Sequence, residues 1–168
     1  MKSILKSLVL IGLVTVSAVS FAQKTAFIDL DSLLSVMPEM LAAKKVSADH
    51  YKELEGTLTT MQKELNDKLA DYQAHEKDYT DLIKQTKQKE LQDLNQRIQD
   101  FQTQAQTDFQ KKNDELTRPI NDKAKKAIEK VAKAKGYKMV IDASGGTLLY
   151  KEPSDDIFNA VKLELGLK

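Results

Sequence analysis

The chain has 168 residues, with 26 Lys and Arg against 25 Asp and Glu, 2 His and no Cys, for a formal net charge of +1. Without Cys there is no disulfide framework, thiolate metal site, Cys nucleophile or thioether-linked lipid anchor, and a charge near zero argues against a globally basic nucleic-acid binder. Charged residues make up 30% and aromatics 6%, with only 6 Gly and 3 Pro, so the counts describe a helix-rich chain with little globular core.

The chain opens with Lys2 and Lys6, an uncharged apolar run from Leu8 to Val19, and then Ser20-Phe21-Ala22 with small residues at the −3 and −1 positions. This order is that of a secretory signal peptide over residues 1–22, cleaved after Ala22. The run is too short to span a bilayer comfortably as an anchor. Export would leave 146 of the 168 residues, and the two lost lysines would take the formal charge from +1 to −1. The expected destination is the periplasm or the exterior, where stability without disulfides must come from packing.

Between Thr57 and Lys135 there is no Gly, and Pro119 is the one Pro. Apolar residues recur at Tyr51, Leu54, Leu58, Met61, Leu65 and Leu69, and again at Leu91, Leu94, Ile98, Phe101, Ala105 and Phe109. Steps of three and four keep one narrow stripe on a helix face, the coiled-coil signal. The two series mirror each other about residue 87, where Leu65 would face Phe109 and two consecutive four-residue steps would lie opposite. The reading is an antiparallel helical hairpin over residues 38–135, turning within 84–90. One continuous helix is the alternative, because that turn holds no Pro or Gly. On the mirror, Gly56 faces the neighbourhood of Pro119. Both weaken a helix, so the two are hinge candidates.

The remaining residues, 23–37 and 136–168, are expected to form a small α+β oligomerisation body. Thr25–Leu30 alternates as a strand, Asp31 caps a short helical turn, and Pro38 starts the first long helix. Gly136 ends the second long helix. Tyr137–Asp142 is a second strand, Gly145-Gly146 a turn and Thr147–Tyr150 a third strand. Pro153-Ser154 opens a last helix carrying Ile157, Phe158, Val161 and Leu165. A body of about 48 residues is marginal alone, and a three-stranded sheet leaves open edges. Self-association answers both problems. The fold class is therefore mostly α with a small β body, the hairpin projecting as an arm from an oligomerisation body.

The segment Lys130-Val131-Ala132-Lys133-Ala134-Lys135-Gly136-Tyr137-Lys138-Met139-Val140-Ile141-Asp142 resembles the "vAk..GY..Vid" stretch of the Skp/OmpH family of periplasmic chaperones. Leu148-Leu149-Tyr150 followed by Asp155-Asp156-Ile157, and Phe27-Ile28-Asp29-Leu30 near the start, resemble that family's flanking elements. The resemblance implies a jellyfish-like homotrimer whose hairpins surround a cavity. It also implies an ATP-independent holdase for unfolded outer-membrane β-barrel proteins. Near-neutrality departs from the strongly basic picture of the family and shifts the expected grip toward local patches.

Such a surface needs weak, adaptable contacts. Met40, Tyr51, Tyr72, Tyr79 and Phe101 are the candidates for touching a client, with seam packing as the plainer role for each. Lys123, Lys126, Lys130 and Lys133 share a helix face and are candidates for an anion-attracting patch, for acidic client segments or weak contact with anionic lipid at a membrane surface; a solvated face is the plainer reading. His50 and His75 lack metal-ligand spacing. No catalytic motif or phosphate-binding loop is present, so the expectation is no enzyme, no cofactor, no metal and no nucleic acid. The competing reading is a structural envelope protein, a coiled-coil spacer or tether without clients.

Overall fold

The structure is a computed structural model that describes residues 24–146 and 148–167; the expected signal peptide lies outside them. Two compact units result: one from the residues up to Asp31 together with those from Lys126 on, the other from Ser32–Lys125. In chain order the elements are β1 (Thr25–Ile28), α1 (Leu30–Ser35), α2 (Pro38–His75), α3 (Asp81–Ala134), β2 (Met139–Asp142) and α4 (Phe158–Glu164), with short 3-10 turns at Glu76–Asp78, Ser144–Gly146 and Pro153–Asp155. Among the described residues, no helix is long and apolar enough to cross a membrane.

The Ser32–Lys125 unit is an antiparallel pairing of α2 with α3. Pro38 sits at the first turn of α2, where its missing N–H costs nothing. α2 has 38 residues and α3 has 54, so they run about 57 and 80 Å at 1.5 Å per residue. The seam is narrow, with Met40, Ala43, Tyr72, Leu94, Ile98, Ile120 and Ala124 buried. Leu54, Leu58, Met61 and Leu65 are only half-buried.

The turn falls at Glu76–Thr80, not at 84–90, which lies within α3. Tyr79 is extended, and the Thr80 side-chain oxygen accepts from the Ile83 N–H at 3.4 Å, capping α3. Across the hairpin, Glu39 pairs with Lys123, Ser47 with Asn113, His50 with Asp108, Tyr51 with Phe109 and Tyr72 with Gln88. These pairs centre near residue 80, about seven residues before the expected mirror point. In an antiparallel pair, moving the centre by seven residues moves every partner by about fourteen, two heptads, so each apolar stripe still meets apolar positions of the other. The stripe fixes which face pairs; the turn fixes the register. The expected opposition of Leu65 to Phe109 is therefore incorrect, and so is the pairing of Gly56 with the Pro119 region. Gly56 lies level with residues near 104 instead.

In the other unit, β1 pairs in parallel with β2, Thr25 opposite Met139 and Ile28 opposite Asp142. Phe27 forms an isolated parallel bridge to Asp156, and the Ile157 N–H donates to the Phe27 carbonyl at 3.1 Å. β1 is thus the central strand, which is why Ala26, Phe27 and Ile28 are all buried rather than alternating. Ile157, Val161, Val131 and Ala127 complete the core of this unit. Gly136 takes φ 74° and closes α3, with the Tyr137 N–H donating back to the Ala132 carbonyl at 2.9 Å.

Three expectations are corrected here. The sheet has two strands among the described residues: Leu148–Tyr150 joins neither, and Thr147 is outside them. The chain leaving β2 must cross to the far side of β1 by Asp156, so it cannot run back beside β2. α1 begins at Leu30 rather than after a capping Asp31, because the Asp142 carboxylate accepts the Leu30 N–H at 3.3 Å. The last α-helix opens at Phe158, not Pro153, because the bridge to Phe27 holds Asp156 extended; its carboxylate accepts the Phe158 N–H at 2.8 Å.

Candidate functional site

The hairpin unit carries a mostly apolar groove of about 320 Å³ lined by Tyr51, Leu54, Leu58, Phe101, Ala105 and Phe109, with Glu55, Gln102 and Gln106 as its polar lining. Its cause is local. Phe101 and Phe109 stand two turns apart on α3, and Ala105 between them is too small to fill the space. Tyr51 meets Phe109 edge-to-face at 5.5 Å and 67°, which fixes one wall, yet Tyr51 remains 54% exposed.

The client-contact candidates separate. Tyr51 and Phe101 share this groove. Met40 is buried, at a neighbouring groove bounded by Ala43, Tyr51, Phe109 and Leu116. Tyr72 is buried at the hairpin turn, its hydroxyl accepting from Gln88 Nε2 at 2.9 Å, with the Tyr79 ring 6.1 Å away. Met40, Tyr72 and Tyr79 hold the hairpin rather than line the groove. Leu54, Leu58 and Phe109 belong to the groove and were not singled out from sequence, because their spacing is that of seam residues.

The four candidate lysines lie on α3, but three face carboxylates. Lys123 pairs with Glu39, Lys133 with Glu129, and Lys130 with Glu164 at 2.6 Å. The lysine partners hold the Glu39 and Glu129 carboxyls below the usual range. Among the described residues only Lys126 of the four makes no ion pair, so this face carries little uncompensated positive charge. Of the hinge candidates, Gly56 lies inside α2 and Pro119 inside α3, each within an unbroken helix.

His50 Nε2 lies 2.7 Å from Asp108 and ties α2 to α3; no cluster of three metal-ligating side chains occurs among the described residues. In the sheet unit, Asp142 accepts from the Ser144 N–H at 2.9 Å and from Leu30 N–H. The Ser144 backbone bond, more than the Leu30 one, holds its carboxyl below the usual range. A carboxylate depressed in the fold stabilises above its unfolded pKa, and that contribution is lost as pH falls through the folded value. Asp142→Asn keeps the acceptor oxygen and removes the charge. Its urea midpoint should therefore vary less with pH below about 4 than that of the wild type; identical slopes would count against this role for Asp142.

A long helical hairpin joined to a parallel two-stranded sheet defines an α-rich class in which residues before and after the hairpin build one small unit. The profile of the OmpH-like outer membrane protein family matches residues 24–165. The chain belongs to that OmpH-like family. A crystal structure from Caulobacter crescentus CB15, described as an OmpH-like outer membrane chaperone, superposes with a TM-score of 0.73 at 13% identity, over 84% of this chain and 82% of that one. That likeness establishes the fold. No curated protein matches the sequence significantly.

Proposed function

We propose that this chain is an exported, ATP-independent holdase that shields unfolded outer-membrane β-barrel proteins in the periplasm. The observation that carries the reading is the half-open apolar groove at Tyr51, Leu54, Leu58, Phe101 and Phe109. A plain coiled-coil spacer would close its seam along its length, whereas here aromatic surface stays accessible on the hairpin. Family membership and the fold shared with an OmpH-like outer membrane chaperone support the same reading. So does the signal-peptide pattern of residues 1–22.

Self-association belongs to this reading. The outer edge of β2 has no partner strand among the described residues, and Met139, Leu149 and Tyr150 are exposed beside or after it. An open edge with uncovered apolar side chains is what a small sheet unit presents to further copies of itself. A copy number of three is what the family resemblance supports.

The test is dilution of a urea-unfolded outer-membrane barrel into buffer with the purified protein and no ATP. Light scattering should stay near baseline at stoichiometric protein. Aggregation unchanged from the protein-free control, with helical circular dichroism intact, would favour the spacer reading.

A further inference from the structure

Between residues 85 and 113, α3 carries three distinct faces. One is the apolar seam of Leu91, Leu94, Ile98, Phe101 and Phe109, and another bears the charged side chains. The third contains Gln92, Gln96, Gln99, Thr103, Gln106 and Gln110, at steps of four, three, four, three and four. These side chains are all exposed; Gln96 Nε2 donates to Asp100 at 2.9 Å and the Thr103 hydroxyl to the Gln99 main-chain carbonyl at 3.2 Å, which leaves Gln92, Gln99, Gln106 and Gln110 to carry the amide chemistry. Steps of three and four keep them on one stripe, and no charged residue interrupts it over that span. In a chain that is 30% charged, a solvated helix face ordinarily carries charge. A neutral face this long has another chemistry: every Gln offers two N–H donors and a carbonyl acceptor.

We infer that this amide face binds the main chain of an extended, unfolded polypeptide while the adjoining groove takes its apolar side chains. The inference rests on the holdase reading and deepens it. Three observations fix the occupant. Gln106 lies both on the amide stripe and at the border of the apolar groove, so one ligand can use both. The face is uncharged and mixes donors with acceptors, which complements a neutral peptide backbone in either direction and with any sequence. A partner helix satisfies its main-chain groups internally, so it would leave the amides without backbone partners. An extended chain exposes its N–H and C=O groups along an edge. Successive amides on α3 rise about 4.5–6 Å, against about 6.7 Å between main-chain groups on one strand edge, a mismatch a flexible Gln side chain absorbs over a few residues. Binding is therefore distributed and without fixed register, as shielding of many unfolded sequences requires.

The experiment uses the mature full-length protein with Gln92→Ala, Gln99→Ala, Gln106→Ala and Gln110→Ala combined. Ala is the better helix former and the positions are exposed, so the hairpin stays folded. The control combines Lys89→Ala, Glu90→Ala, Asp93→Ala and Lys111→Ala, which leaves net charge unchanged. The probes are a urea-unfolded outer-membrane barrel and a strand peptide from it, with and without N-methylation at alternate residues. The amide variant should bind the unmethylated peptide about tenfold or more weakly than wild type and the control variant do. Methylation, which removes main-chain donors, should abolish most of that difference. Wild-type and amide variants that hold the barrel and the peptide equally well would overturn the amide site while leaving the holdase reading standing. A wild type that captures neither would overturn both. A fall in sedimentation mass of the amide variant would reassign the face to contact between copies of this chain.

Discussion

The double substitution Leu149→Asp with Tyr150→Asp should turn the purified protein into a monomer by sedimentation equilibrium, while its far-ultraviolet circular dichroism keeps the helical signal. Leu149 is fully exposed and Tyr150 nearly so. Fully burying such a side chain contributes about 1.5–3 kcal/mol, and each chain of an oligomer would bury both. Placing a carboxylate there replaces that gain with the cost of desolvating a charge. The β2 edge supplies the second half of the interface, since Met139 and Ile141 both point out of the sheet unit. The helices of the hairpin unit do not depend on this patch, because their buried residues come from α2 and α3 themselves. A wild type that already sediments as a monomer would refute the interface.

Cysteines introduced at Ser47 and Asn113 should join on mild oxidation and raise stability by about 4 kcal/mol, as expected for closing a loop of this length. The native side chains hydrogen-bond across the helices, 66 residues apart in sequence. The absence of native Cys makes the experiment clean, since no other thiol competes. The companion pair, cysteines at Leu65 and Phe109, tests the register that mirror symmetry about residue 87 would impose. It should stay reduced, because Phe109 packs on Tyr51. Closure of the second pair rather than the first would mean that the apolar stripes pair two heptads away from the structure described.

Those two registers show where sequence reading succeeds and where it stops. The stripe from Tyr51 to Leu69 and that from Leu91 to Phe109 announce two long helices, because burial on one narrow face demands that spacing. A heptad repeat looks the same after a seven-residue slide, so the stripes could not locate the turn. The signal that does so is Thr80, a capping residue just ahead of the Asp81 that opens α3, in a stretch without Gly or Pro to draw attention. Strand β1 was legible as a strand, but it ends at Ile28 rather than Leu30 and buries Ala26, Phe27 and Ile28 in succession instead of alternating. The place of Leu148–Tyr150 was not, since it depends on Asp156 bridging to Phe27, a contact more than a hundred residues long. At the groove, the aromatics were visible in the sequence. Which of them stay open depended on Ala105 being small and on the register that sets Tyr51 against Phe109.

The parallel pairing of β1 with β2 has a bearing on how the protein comes to be folded. Thr25 and Met139 lie 114 residues apart in sequence, so direct closure would be entropically slow. If the hairpin zips first, Met40 and Leu116 come to line one groove, and the gap left for the strands to close is short. A chain emerging from its N-terminus presents Ala26-Phe27-Ile28 first and Ile157 nearly last. The apolar strand must wait, uncovered, until almost the whole chain is available. By this order of assembly, the first strand passes through a stage in which it lacks the apolar cover it has in the fold.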